Sequence, residues 1–158
     1  MRIGFGNDIH RLETGKPLII GGILIPSELG AVGHSDADVL YHAVTDAILG
    51  ALALGDIGSH FSDSDETWKD AESRNFVKEA VRLMKESGYI VGNIDVTLGL
   101  EKPKIRPFID QMRRNLADIL EVEIGDVSIK AKTGEGLDAV GECRAIKAEA
   151  CCLLLKEN

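Results

Sequence analysis

Residues 2–12 alternate strictly. Ile3, Phe5, Asn7 and Ile9 fall on one side, and Gly4, Gly6, Asp8 and His10 on the other, the period-two pattern of a strand. A face built from two glycines, an Asp and a His is unusual for a core strand and suits a surface that something approaches closely. Leu18 to Ile25 (LIIGGILI) reads as two short strands about a Gly21-Gly22 turn, ended by Pro26. After Gly33-His34-Ser35-Asp36-Ala37-Asp38 a helical pattern runs to about Leu54, with Ser35 or Asp36 as the expected N-cap and Gly55 as the residue just past the helix. The Gly, Ser and Asp content of 55–67 marks a loop. A second helix is expected from about Asp70 to Ser87, with Phe76, Val77, Ala80, Val81 and Met84 on one face and Gly88 as its stop.

Residues 89–100 (YIVGNIDVTLGL) and 127–133 (VSIKAKT) read as strands. Between them Pro103 and Pro107 bracket a loop and open a helix to about Leu120. A glycine-rich turn over 134–141 leads into Arg144–Leu155. There the alternation of Ile146, Ala148, Ala150 and Cys152 against Lys147 and Glu149 favours a strand over a helix. Strands and helices together predict an α+β fold, a two-layer sandwich with helices on one face of a mixed sheet.

The length of 158 residues, 44% hydrophobic and 28% charged, predicts one globular domain over 1–158. The net charge of −8 makes nucleic acid or an anionic membrane an unsuitable main partner. It leaves room for a small anionic substrate wherever a cation or a helix N-terminus supplies local positive potential. The charge-free apolar stretch from Ala47 to Gly55 is too short to span a bilayer. With no transit peptide visible, and with Cys143, Cys151 and Cys152 forming neither a disulfide framework nor a Cys-x-x-Cys pair, the expectation is a bacterial-type cytoplasmic protein with reduced thiols.

Four features carry candidate chemistry. Asp8-x-His10 projects a carboxylate and an imidazole from one strand face, and His42, one helical turn from both Asp38 and Asp46, is a third candidate ligand. Two histidines and a carboxylate suit zinc with an open position, and equally non-haem Fe(II); a plain polar strand surface is the bland alternative. His34-Ser35-Asp36 precedes a helix start, either an ordinary N-cap or a phosphate seat with His34 as an added donor. Lys130-Ala131-Lys132-Thr133-Gly134-Glu135 ends a strand in a turn where Lys132 and Thr133 can hold phosphate and Glu135 can hold Mg²⁺. Lys102, Lys104 and Arg106 make a basic loop.

Together these segments resemble a known family, the 2-C-methyl-D-erythritol 2,4-cyclodiphosphate synthases of the non-mevalonate isoprenoid pathway. The resemblance rests on Arg2-Ile3-Gly4-x-Gly6-x-Asp8-x-His10-Arg11-Leu12, Gly33-His34-Ser35-Asp36-Ala37-Asp38-Val39, His42-Ala43 and Asp46-Ala47. It continues through Gly55-Asp56-Ile57-Gly58, Phe61-x-Asp63-x-Asp65, Lys102-Pro103-Lys104 and Lys130-Ala131-Lys132-Thr133-x-Glu135, nearly end to end. It implies a homotrimer with an active site at each subunit junction and a small cytidylated substrate. It implies Zn²⁺ on Asp8, His10 and His42, and Mg²⁺ or Mn²⁺ on Glu135. His34 and Thr133 become the catalytic positioning groups. His34, Ser35, Asp56, Ile57, Gly58, Phe61, Ser62, Asp63, Ser64 and Asp65 would line the erythritol phosphate side. Leu100, Lys104, Ile105, Arg106, Ala131, Lys132, Thr133, Gly134 and Glu135 would hold cytidine and its phosphates. The chain departs from the family at Asn7, Ala139 and Glu142, where many members carry Phe, Phe and Arg about a prenyl-diphosphate cavity on the threefold axis, and at Ser62, usually Pro.

Overall fold

The computed structural model describes residues 1–61 and 71–157. In chain order the elements are β1 (Arg2–Thr14), β2 (Leu18–Ile20), β3 (Ile23–Ile25), β4 (Leu29–Ala31), α1 (Val39–Leu52), α2 (Ile57–His60), α3 (Arg74–Glu86) and β5 (Tyr89–Gly99). Then come α4 (Ile109–Leu120), β6 (Val127–Lys132), α5 (Asp138–Gly141) and β7 (Ala145–Lys156). Five strands form one sheet in the order β4-β1-β7-β5-β6, and β2 and β3 make a separate hairpin. The β5–β6 pair is parallel and the other pairs are antiparallel, so the sheet is mixed and the fold α+β. The ambiguous C-terminal segment is the strand β7, at the centre of the sheet between β1 and β5.

The glycine face of β1 is the core face. Gly4 pairs with Cys152 and Gly6 with Ala150, and α1 lies directly upon them. A Cβ on Gly6 would stand 2.2 Å from the Ala43 carbonyl oxygen, and one on Gly4 only 1.8 Å from that of Ala47. Backbone-to-backbone packing this close requires glycine on the strand and small residues on the helix. The apolar side chains of the same strand point the other way: Ile3, Phe5 and Ile9 are 71%, 59% and 58% exposed. On the helix layer, Phe76, Val77, Ala80, Val81 and Met84 of α3 are all buried, as their 3.6-residue spacing predicts. The Gly21-Gly22 turn takes positive φ at both residues, as the hairpin requires.

Both expected caps of α1 are displaced. The N-cap is Asp38, whose side chain accepts from the Tyr41 backbone N–H, rather than Ser35 or Asp36. The helix closes with Ala53 in the left-handed region at φ 58°, two residues before Gly55. Asp38 is fully buried and also accepts from the backbone N–H groups of Gly21 and Gly22 at 3.0 and 2.8 Å. It therefore fastens the hairpin to the helix start, a tertiary role that Ser35 and Asp36, engaged elsewhere, do not fill. Of the two roles considered for the His34-Ser35-Asp36 segment, the N-cap falls to Asp38 instead. Within the expected 55–67 loop lies the short helix α2, capped by the Asp56 side chain on Ser59. The strand β4 carries too short a pattern to read in sequence.

Candidate active site

β1 supplies Asp8 and His10 from its helix-facing side, and α1 brings His42 over them. Asp8 Oδ2 lies 2.9 Å from His10 Nε2 and 2.9 Å from His42 Nδ1, and the two nitrogens are 3.0 Å apart. Three lone-pair atoms thus share one small triangle, half-buried to buried. Burial alone would raise the Asp8 carboxyl, but the two imidazoles of His10 and His42 beside it outweigh that and hold it well below the usual carboxylate range. Burial likewise opposes a charge on His10, and the Asp8 contact and a hydrogen bond with the Val32 backbone overcome it, so its pKa is raised. Two imidazole nitrogens and a carboxylate oxygen converging within 3.0 Å of one another are a donor set that can hold a cation. The set of two imidazole nitrogens and one carboxylate oxygen fits zinc.

The triangle forms one wall of a cleft of about 350 Å³. His34, Ser35, Ile57, Gly58, Phe61 and Phe76 complete the lining. The Phe61 and Phe76 rings pack at 4.6 Å between centroids and Phe76 lies 5.8 Å from the His42 ring. His34 Nε2 is buried in the structure with no hydrogen-bond partner among the described residues, an orphan that needs an external acceptor or donor. Asp56 caps α2 through Ser59 N and Oγ at 2.8 and 2.6 Å, so it shapes the Ile57–Gly58 wall from behind. Ser62, Asp63, Ser64 and Asp65 lie outside the described residues.

The second half of the predicted site sits elsewhere on the chain. Leu100, Lys104, Ile105, Arg106, Ala131, Lys132 and Thr133 line one small pocket of about 120 Å³. Arg106, Ala131 and Lys132 also border an adjoining cleft with Lys130. Leu100 and Ile105 are buried at its floor. Glu135, at φ 53°, accepts a hydrogen bond on Oε1 from the Thr133 hydroxyl at 2.5 Å. Gly134 donates its N–H to Glu101 at 2.9 Å. A lone carboxylate at a turn fits Mg²⁺ or Mn²⁺, which use one or two carboxylates and complete their shell with phosphate and water. Among the described residues none lines both this pocket and the His42 cleft.

The residues behind the ligands are placed by tertiary contact. Asp46, one turn from His42, accepts from the Ile57 backbone N–H at 2.7 Å and so holds α2 in place. The partner of His42 Nε2 is Ser73, with Oγ at 2.8 Å, and Ser35 Oγ is at 3.1 Å. Ser73 begins α3, and only the contact between α1 and α3 brings it to His42; the one cue in sequence is a serine ahead of an apolar helix.

The YgbB family model matches residues 1–155. The 2-C-methyl-D-erythritol 2,4-cyclodiphosphate synthase of Salinibacter ruber is 51% identical over 154 residues, 98% of each chain. The chloroplastic synthase of Arabidopsis thaliana is 56% identical over 156 residues, 99% of this chain and 68% of that one. A solved 2C-methyl-D-erythritol-2,4-cyclodiphosphate synthase, in a form bound to CDP, superposes with a TM-score of 0.91 at 40% identity, covering 98% of this chain and all of that one. The bifunctional IspDF of Campylobacter jejuni superposes at 0.95 with 34% identity, over 99% of this chain and 42% of that one. With the family model, the sequence identity and the fold agreeing, the chain belongs to the YgbB family, that of the 2-C-methyl-D-erythritol 2,4-cyclodiphosphate synthases.

Proposed function

We propose that this protein is a metal-dependent phosphorus–oxygen lyase. It converts 4-diphosphocytidyl-2-C-methyl-D-erythritol 2-phosphate to 2-C-methyl-D-erythritol 2,4-cyclodiphosphate and CMP, as a single domain over 1–158 in the cytoplasm. The observation that carries the reading is the Asp8–His10–His42 triangle opening on a cleft whose buried His34 nitrogen has no partner among the described residues. Asp8, His10 and His42 would hold Zn²⁺ and Glu135 would hold Mg²⁺ or Mn²⁺. When bound, the two cations neutralise the phosphates that must approach each other.

An oxygen of the 2-phosphate forms a bond to the β-phosphorus, the bond from that phosphorus to the CMP oxygen breaks, and CMP leaves with the electron pair. The attacking group is already an anion and CMP is a stable leaving group, so the work is positioning and charge stabilisation rather than proton transfer. His34 supplies a hydrogen bond from Nε2 to a phosphate oxygen, and Ser35 stands beside it. Ile57, Gly58 and Phe61 enclose the apolar side of the methylerythritol. Lys104, Arg106 and Lys132 provide positive charge for the diphosphate, while Leu100, Ile105, Ala131 and Gly134 form the cytidine seat. Thr133 and Glu135 are coupled by their hydrogen bond, so one fixes the position of the other.

The two half-sites lie in separate pockets of one chain, and the apolar outer face of β1 is bare. Both features support a homotrimer whose junctions bring the metal half of one chain to the nucleotide half of the next. Release of CMP from the cytidylated substrate with Mg²⁺, abolished by chelator, tests the activity. Absence of CMP under saturating metal would refute it. Mixing His42→Ala chains with Glu135→Ala chains tests the junction: each parent trimer is nearly inactive and co-refolded trimers regain activity. Mixed trimers that form and stay dead would place the site within one chain.

A further inference from the structure

Three hydrogen bonds behind His42 have a determined direction. Asp36, a carboxylate with no proton to give, accepts the Ser73 backbone N–H on Oδ2 at 3.1 Å, the Ser73 hydroxyl on Oδ1, and the Asp38 N–H on Oδ1 at 3.2 Å. A serine hydroxyl has one proton, so the Ser73 proton is committed to Asp36. Toward His42 Nε2, 2.8 Å away, Ser73 Oγ can then only accept. Nε2 must carry the hydrogen, and a neutral imidazole carries only one. Nδ1 is left with its lone pair, aimed at the point shared with Asp8 Oδ2 and His10 Nε2. The Asp8 oxygen, 2.9 Å from Nδ1, pulls the other way, since it would accept an Nδ1–H.

From this chain we infer that Ser73, oriented by Asp36, is a positioning residue that holds His42 as the Nε2–H tautomer and so keeps Nδ1 open as a ligand before any metal arrives. Ser73 is fully buried, and although it occupies the N-cap of α3 its hydroxyl makes no capping bond there. Its oxygen serves His42 instead of its own helix. A partner of this kind on the far nitrogen raises ligand basicity and orients the ring. The metal half of the inference rests on the ligand assignment proposed above; the tautomer itself does not.

The test uses metal-free protein at about pH 9, well above the ordinary imidazole pKa of about 6.5, where a neutral ring must choose one tautomer. Two-bond ¹H–¹⁵N correlation reads the His42 ring, and Co²⁺ titration reads the site. Wild type shows Nε2–H. Ser73→Ala, which removes no cap bond, and the isosteric Asp36→Asn, which must present an N–H where Oδ1 or Oδ2 accepted, both move His42 toward Nδ1–H. Both weaken Co²⁺ binding about 10- to 100-fold with the circular dichroism unchanged. Because Ser35 Oγ, 3.1 Å from Nε2 and 3.2 Å from Ser73 Oγ, can also accept the Nε2 hydrogen, the double variant Ser35→Ala/Ser73→Ala moves it further. An Nδ1–H wild type overturns the inference, as does retention of Nε2–H and of Co²⁺ affinity in the double variant. Loss of stability without a change of tautomer also overturns it. An Nε2–H wild type that binds no Co²⁺ instead sinks the metal assignment and leaves the tautomer inference standing.

Discussion

Replacing Gly6 with alanine is expected to break the proposed metal site without touching Asp8, His10 or His42. The added Cβ would stand 2.2 Å from the Ala43 carbonyl oxygen, 2.6 Å from the Ala47 nitrogen and 2.8 Å from the Asp46 Cβ. Two of the three are backbone atoms of α1, which cannot swing aside as the end of a long side chain would. Restoring the 3.4 Å at which ordinary contact begins requires β1 and α1 to part by about 1.2 Å. Overpacking of this kind costs about 3 kcal/mol or more where nothing can yield, which at roughly 2–4 °C per kcal/mol for a chain of this size lowers Tm by about 6–12 °C. Asp8 and His10 ride on β1 and His42 on α1, so the same displacement separates the ligands, against a tolerance of about 0.2 Å in metal–ligand distance. Co²⁺ affinity should fall at least about 100-fold, the scale of a 1 Å misplacement. Thermal unfolding and Co²⁺ titration measure the two effects, with Gly125→Ala as control, since a Cβ there meets nothing within 4 Å. A Gly6→Ala protein with wild-type Tm and Co²⁺ affinity would refute the claim that the strand–helix contact sets the ligand spacing.

Glu135→Gln keeps the shape of the side chain and removes its charge, so the Mg²⁺ needed for half-maximal rate should rise while zinc content stays constant; an unchanged Mg²⁺ dependence would remove Glu135 from the site. The buried Cys152 thiol, pushed up to about 11 by desolvation, should resist iodoacetamide at about pH 8 until the protein unfolds; labelling at the rate of a free thiol would contradict its core position. Burial pushes the Asp38 carboxyl up to about 6 from its ordinary 3.8, outweighing the backbone N–H groups of Gly22, Gly21 and Tyr41. The folded state therefore holds this proton more tightly than the unfolded chain. Its contribution to stability is present below about pH 4 and is lost as pH rises to about 6, by up to about 3 kcal/mol. Urea unfolding of wild type against Asp38→Asn should show that loss only in wild type; a stability difference independent of pH would refute it.

Much of the site was legible because local geometry determines it. Asp8 and His10, two apart on a strand, must share a face, and the structure puts both on the triangle with His42. The apolar spacing in α3 and the Gly21-Gly22 turn likewise depend only on neighbours in the chain. The two glycines beside Asp8 already implied a close approach, and α1 makes it. The segments about Leu100–Arg106 and Ala131–Thr133, which only the family resemblance joined, line one pocket.

Alternation along β1 defines two faces but cannot say which one is the core. Counting apolar side chains would bury Ile3, Phe5 and Ile9, yet these are the exposed ones in the chain, because backbone contact with α1 demands the glycine face. Capping is similar: Ser35, Asp36 and Asp38 all have the chemistry of an N-cap. Asp38 takes the role because only it also reaches Gly21 and Gly22, while Asp36 and Ser35 are drawn to Ser73 and His42. Asp46, one turn from His42, accepts the Ile57 N–H, while Ser73, 31 residues from His42 in the chain, meets the His42 ring. The sequence by itself thus determined the periodic elements and the residue types able to bind a cation or a phosphate, because these follow from spacing and side-chain chemistry. Which donor meets which acceptor was decided by tertiary packing alone, since each polar group has several chemically adequate partners and only the approach of β1, α1 and α3 selects among them.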